Sequence, residues 1–218
     1  MKERPILFKG EMVRAILEGR KTQTRRVMKP QPILESVFLG GRQQNVLTWR
    51  DVAEPKGWMM HNMCPYGQPG DRLFVRESFS GPDCMDKMGE LPAMPPREWS
   101  IETPIWYWAD GEPTFGDWTK PKPSIHMPRW ASRITLEITG VRVERLKDIG
   151  EADAIAEGVQ TETADPWFYH ISTERNVYDF AADEPQGSFR KLWESINGPG
   201  SWDANPFVWV VEFRRVQS

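Results

Sequence analysis

Regular patterning in this chain comes only in short pieces, each closed by glycine or proline. The longest is a 14-residue alternation from Arg133 to Leu146, and 17 Gly and 19 Pro punctuate the 218 residues. A helical bundle needs sustained 3.6-residue periodicity, and a doubly wound sheet needs strands alternating with helices; neither is present. Strands scattered among short helices, with bulge signals, predict an α+β fold: a small β-barrel with short flanking helices. Three stretches without a period, 31–65, 80–128 and 160–187, are too long for plain connections in a compact domain. They read as insertions into one domain spanning 1–218.

The elements can be placed with some detail. Met12, Val13, Ile16 and Leu17 recur at helical spacing and Gly19 is a natural terminator, which predicts a helix from Gly10 to Glu18. Thr22 and Thr24 favour an extended continuation. Arg72 to Phe79 alternates as a strand with Leu73, Val75, Glu77 and Phe79 on one side, and Ile105–Trp108 reads as a short aromatic strand. In the 133–146 pattern, Gly140 shifts the phase from Ile134, Leu136 and Ile138 to Val141 and Val143, the mark of a bulge or tight hairpin. A second helix runs from Ile149 to Glu157 and stops at Gly158. A third, capped by Ser188, carries Phe189, Leu192, Trp193 and Ile196, and a last strand covers Phe207–Phe213.

Charge is unevenly spread. Residues 1–30 hold nine basic and three acidic side chains, so the other 188 residues sum to −9 within a total of −3. A basic block in an acidic chain points to a local anion site. No run approaches the ~20 apolar residues of a membrane span, and the first residues lack a signal-peptide core, so no membrane is expected. Two cysteines fit a reducing, cytoplasmic setting. His61, Cys64 and Cys84 lack the fourth ligand and paired spacing of a zinc site, so neither metal nor cofactor is expected.

Among candidate residues, Lys21 and Thr24 follow a helix end inside Gly19-Arg20-Lys21-Thr22-Gln23-Thr24-Arg25-Arg26. In a strict strand they would face opposite ways, so a common ligand requires the backbone to bend between them. An amine beside a hydroxyl and several guanidiniums can polarise a carbonyl or activate a hydroxyl, if burial lowers the lysine pKa. Glu77 shares its face with core residues: either a core salt bridge, with the arginine block as partner, or a pocket acid. Glu157 sits at a helix C-terminus, where the macrodipole disfavours its charge, a useful place for a proton acceptor. Arg129 and Trp130 precede a strand and could wall a nucleobase.

Gly19-Arg20-Lys21-Thr22-Gln23-Thr24-Arg25, followed by Gly70-Asp71-Arg72-Leu73-Phe74-Val75, resembles the signature of the ASCH family, and the N-terminal stretch resembles its phage- and prophage-encoded branch. The resemblance implies a PUA-like barrel associated with RNA binding and RNA-modification chemistry. One bacterial subgroup consists of small amidohydrolases that deacylate N4-acetylcytidine, using a Lys and a Thr of the first motif and a Glu of the later helix. By motif these fall on Lys21, Thr24 and Glu157. The implied partner is a nucleoside or RNA, with Arg20, Arg25, Arg26, Arg76, Glu77, Arg129 and Trp130 as substrate-binding candidates. The chain is about twice as long as those enzymes.

The expectation is therefore a nucleoside- or RNA-binding protein that hydrolyses an amide on a modified base. The alternatives are a non-catalytic RNA-binding module, an RNA-cleaving member, and a phage structural or interaction protein. Of the 11 tryptophans, only Trp193 and Trp209 fall clearly on patterns of the shared core. Trp49, Trp58, Trp99, Trp106, Trp108, Trp118, Trp167 and Trp202 lie in or beside the insertions. This predicts packed caps with apolar anchors, one of them roofing the basic cleft.

Overall fold

The computed structural model describes residues 1–39, 42–48, 64–85, 94–162, 165, 167–173 and 178–216. It is an α+β structure around a five-stranded sheet. Strand β1 (Glu3–Leu7) runs into helix α1 (Gly10–Leu17), and Gly19, at φ +77°, turns the chain into β2 (Gln23–Val27). Strands β5 (Arg72–Arg76), β8 (Thr135–Arg145) and β11 (Phe207–Arg215) complete the sheet in the order β1-β5-β8-β11-β2. The β1–β5 pair is parallel and the other pairs are antiparallel. β1 and β2 are the two edges of this ladder. Arg26 of β2 donates to the Leu7 carbonyl at the end of β1, 2.6 Å away.

The phase shift at Gly140 is a bulge within one continuous strand. Glu212 pairs with Gly140 and Phe213 with Ile138, leaving Thr139 as the extra residue. Helix α2 (Glu151–Ala156) ends at Gly158, whose φ of +107° suits glycine alone. Helix α3 (Pro185–Asn197) begins three residues before the expected Ser188 cap. Proline occupies its first turn, where the missing N–H costs nothing, and Ser188 is buried inside the helix.

Two expectations for the insertions change. β3 (Ile33–Leu39) pairs antiparallel with β4 (Arg42–Thr48), in place of the expected irregular chain. Apolar residues occur at both parities of β3 (Ile33, Val37, Leu39; Leu34, Phe38), so no one-face alternation announces it. The aromatic strand at 105–108 shortens to β7 (Trp106–Tyr107), paired with β6 (Phe79–Ser80). β9 (Gln160–Thr161) and β10 (Tyr169–His170) form a last small pair.

Apolar burial divides into two clusters. The main one packs α1 and α3 against the sheet and includes Val13, Leu73, Leu136, Val208, Val210 and Val211. The second contains Phe79, Trp99, Met127 and Ala131, with Tyr107 and Trp130 against it. Segment 80–128 thus has its own anchor in Trp99. Trp202 instead joins the main cluster, edge-on to Phe189, and Trp167 is 74% exposed and anchors nothing. Trp49 and Trp58 lie outside the described residues. No helix among the described residues is long and apolar enough to cross a membrane.

Candidate active site

A helix leaves its last carbonyls without intrahelical partners. Carbonyls at and just beyond the end of α2 are taken up by four consecutive residues, three that follow α1 and the first of β2. Arg20 NH1 donates to the Gly158 carbonyl (2.9 Å), Lys21 Nζ to Glu157 (2.8 Å), the Thr22 N–H to Ala156 (2.9 Å), and Gln23 Nε2 to Asp153 (2.9 Å). Cations at this negative end are electrostatically favourable. The segment is held from its other side too, since the N–H groups of Arg20 and Lys21 both bond the Ala15 carbonyl of α1. β2 begins only at Gln23, so Lys21 precedes the strand and escapes its alternation. This supplies the bend that Lys21 and Thr24 need to share a ligand.

Lys21 Nζ also lies 2.6 Å from Glu157 Oε2, with both residues 3% exposed or less. Burial pulls the Lys21 pKa below its ordinary value, against the attraction of Glu157. The second Glu157 oxygen accepts from Arg25 NH1 (3.3 Å). Arg25 NH2 reaches Asp153 Oδ2 (2.7 Å) and Glu144 Oε2 (3.1 Å). Arg142 bonds the same Asp153 oxygen (2.9 Å) and pairs with Glu144 and Glu212. Burial alone would raise the Asp153 pKa; Arg25 and Arg142 hold it below its ordinary value. Within the sequence's basic block, Lys21 and Arg25 are therefore matched by Glu144 of β8, Asp153 of α2 and Glu157 at its end.

Thr24 is buried, and its hydroxyl has no hydrogen-bond partner among the described residues. Lys21, Thr24 and Glu157 line one cavity of about 760 Å3, together with Arg25 and Arg26. Its walls are Phe8 and Met12, Tyr66, and the α3 face bearing Phe189, Leu192 and Trp193; Lys9 and Lys29 also line it. The size falls within the usual range for small-molecule sites. The Phe8 ring centroid lies 5.8 Å from Lys21 Nζ and 5.2 Å from the Arg26 guanidinium carbon. Segment 80–128 contributes Ser124 to the lining.

No family model matches this chain, and no curated protein or solved structure is significantly similar to it. The site's chemistry has to be read from its own residues.

Several expected site residues lie away from the cavity. Glu77, 1% exposed, makes a two-pronged pair with Arg133 (2.9 and 3.0 Å), whose guanidinium also binds Asp110 and stacks 4.1 Å from the Tyr107 ring. Burial nevertheless pushes the Glu77 carboxyl above its ordinary pKa. Its partner is thus Arg133 and not the N-terminal arginine block, because Glu77, in the link between β5 and β6, meets the chain leading into β8. Arg129 pairs with Glu3, and Trp130 packs on the second cluster. Arg76 donates to the Ile125 carbonyl and Arg20 binds Glu18. Cys64 is buried and Cys84 exposed, both unpaired; His61 lies outside the described residues. No group of three or more His, Cys, Asp or Glu among the described residues could hold a metal.

The sequence marks Lys9 and Lys29 only as members of the basic block and Trp193 only as a core residue, and it does not single out Tyr66. They are distant in the chain and share no local pattern. Only the fold brings them together.

Proposed function

We propose that this chain is an ASCH-like, PUA-like barrel protein carrying long insertions, and that its cavity binds a nucleoside-type ligand and hydrolyses an exocyclic amide of the N4-acylcytidine kind. The observation that carries the reading is the meeting of Lys21, Thr24 and Glu157 in one cavity, with a buried 2.6 Å Lys–Glu contact and an unengaged hydroxyl. Supporting the barrel is one hydrogen bond between the two edge strands of the sheet, from Arg26 of β2 to the Leu7 carbonyl of β1.

In the proposed reaction the Thr24 hydroxyl attacks the acyl carbonyl carbon or positions the water that does so. The proton released passes to the Lys21–Glu157 pair, and the Lys21 ammonium stabilises the oxyanion. Glu157 then delivers a proton to the exocyclic nitrogen as the C–N bond breaks. The carboxylic acid and the free amine leave; where Thr24 is the nucleophile, water first releases the acyl group. Phe8, Tyr66 and Trp193 offer aromatic surface for the base.

The test is incubation of the protein with N4-acetylcytidine, free and within an RNA oligonucleotide. Thr24→Val and Glu157→Gln preserve shape and should lower kcat/KM by about 100-fold or more. Wild-type protein that turns over no N4-acylated cytidine in either form overturns the proposal.

A further inference from the structure

We propose that the cavity holds a phosphate group at Lys9, Arg26 and Lys29, so that its ligand is a phosphorylated nucleoside; this deepens the nucleoside reading above and rests on it for the body of the ligand. Five cationic side chains line the cavity, against one carboxylate, Glu157. Two of the five are already matched: Lys21 by Glu157, and Arg25 by Glu157, Asp153 and Glu144. Lys9, Arg26 and Lys29 have no acidic partner among the described residues.

Arg26 is the most informative of the three. One terminal nitrogen bonds the neutral Leu7 carbonyl, and its Nε is buried without a partner. Burial pulls its pKa down from the ordinary value, so the guanidinium sits where its charge is poorly compensated. Arg4, Arg133 and Arg142 are matched by carboxylates, whereas Arg76 and Arg145, like Arg26, bond a main-chain carbonyl; of these three only Arg26 lines the cavity. In a protein of net charge −3, three unmatched cations around one cavity make a local positive field. Guanidinium and ammonium donors are the usual partners of phosphate oxygens.

The cavity also sets the order of the ligand's parts. Arg26 and Lys21 both lie near the Phe8 ring, and the apolar wall is provided by Leu192 and Trp193. A base on the apolar wall, with its exocyclic amide toward Lys21–Glu157, leaves the sugar's phosphate for Arg26 and the exposed Lys9 and Lys29. The phosphate can belong to a mononucleotide or to one unit of an RNA strand.

Calorimetric titration of the purified protein at low salt, with cytidine, cytidine 5′-monophosphate and a short cytidine-containing oligonucleotide, tests the assignment. The monophosphate is expected to bind about tenfold or more tightly than cytidine. Lys9→Gln/Lys29→Gln should abolish that ratio, and Lys120→Gln, outside the cavity, should retain it. An oligonucleotide tighter than the monophosphate, with the monophosphate still preferred over cytidine, assigns the phosphate to RNA and supports the subsite. A monophosphate no better than cytidine, no binding of any probe, or a ratio unchanged in the double variant overturns it. Turnover of N4-acetylcytidine is scored separately. Turnover without phosphate preference removes the subsite and keeps the hydrolase; phosphate preference without turnover does the reverse.

Discussion

Lys21 does two things with one amine: it caps α2 and it neutralises Glu157. Removing it leaves a buried carboxylate short of a partner, with only Arg25 remaining, and breaking a buried pair costs about 3–5 kcal/mol. Lys21→Met should lose stability of that order in urea titrations. Because burial lowers the Lys21 pKa, the folded protein holds this proton less tightly than the unfolded chain does. Stability contributed by the group therefore rises with pH until it reaches the unfolded value near 10.5. The gap between wild type and Lys21→Met should widen as the pH rises through the lowered folded value toward 10.5; a constant gap contradicts the assignment. Asp71 works in the other direction. It accepts from the Lys2 N–H (2.7 Å) and from Arg4 (3.0 Å), and these hold its pKa below 3.8. The advantage of wild type over Asp71→Asn in thermal unfolding should be full above pH 3.8 and shrink as the pH falls through the lower folded value.

Among the elements, segment 80–128 depends on one close approach. A Cβ on Gly81 would stand 2.5 and 2.6 Å from two ring carbons of Trp99. Gly81→Ala should displace that ring and cost about 1–3 kcal/mol, as overpacking does. Hydrogen exchange should quicken around Phe79, Trp99 and Met127 while β8 and β11 keep their protection. Uniform loss of protection would show that the second cluster is not a separate unit. The sequence announced some of these elements better than others. α1 and α2 ended at glycines with positive φ, and the Gly140 phase shift marked a real bulge. The β3–β4 pair gave no one-face alternation, and the start of α3 was obscured by a proline that reads equally well as loop. The site was legible through resemblance more than through spacing. Lys21 and Glu157 are 136 residues apart, and nothing local says that the Arg20–Gln23 segment closes the end of α2. For the same reason the sequence does not place Lys9, Tyr66 and Trp193 around one cavity.

At the scale of the whole molecule, the last strand occupies an interior place. β11 lies between β8 and β2, and Val208, Val210 and Val211 on it are fully buried. Burying each such side chain contributes about 1.5–3 kcal/mol, so the sheet cannot dispense with them. A chain ending at Pro206 should show no cooperative thermal unfolding by circular dichroism; a sharp transition in that fragment would show that the remaining strands suffice. The strand order also sets a sequence in time. β2 (Gln23–Val27), which carries Thr24 and Arg26, leaves the ribosome about 180 residues before its ladder partner β11 (Phe207–Arg215). A product interrupted between the two would hold Lys21, Thr24 and Glu157 and still lack the neighbour that fixes the strand bearing Thr24.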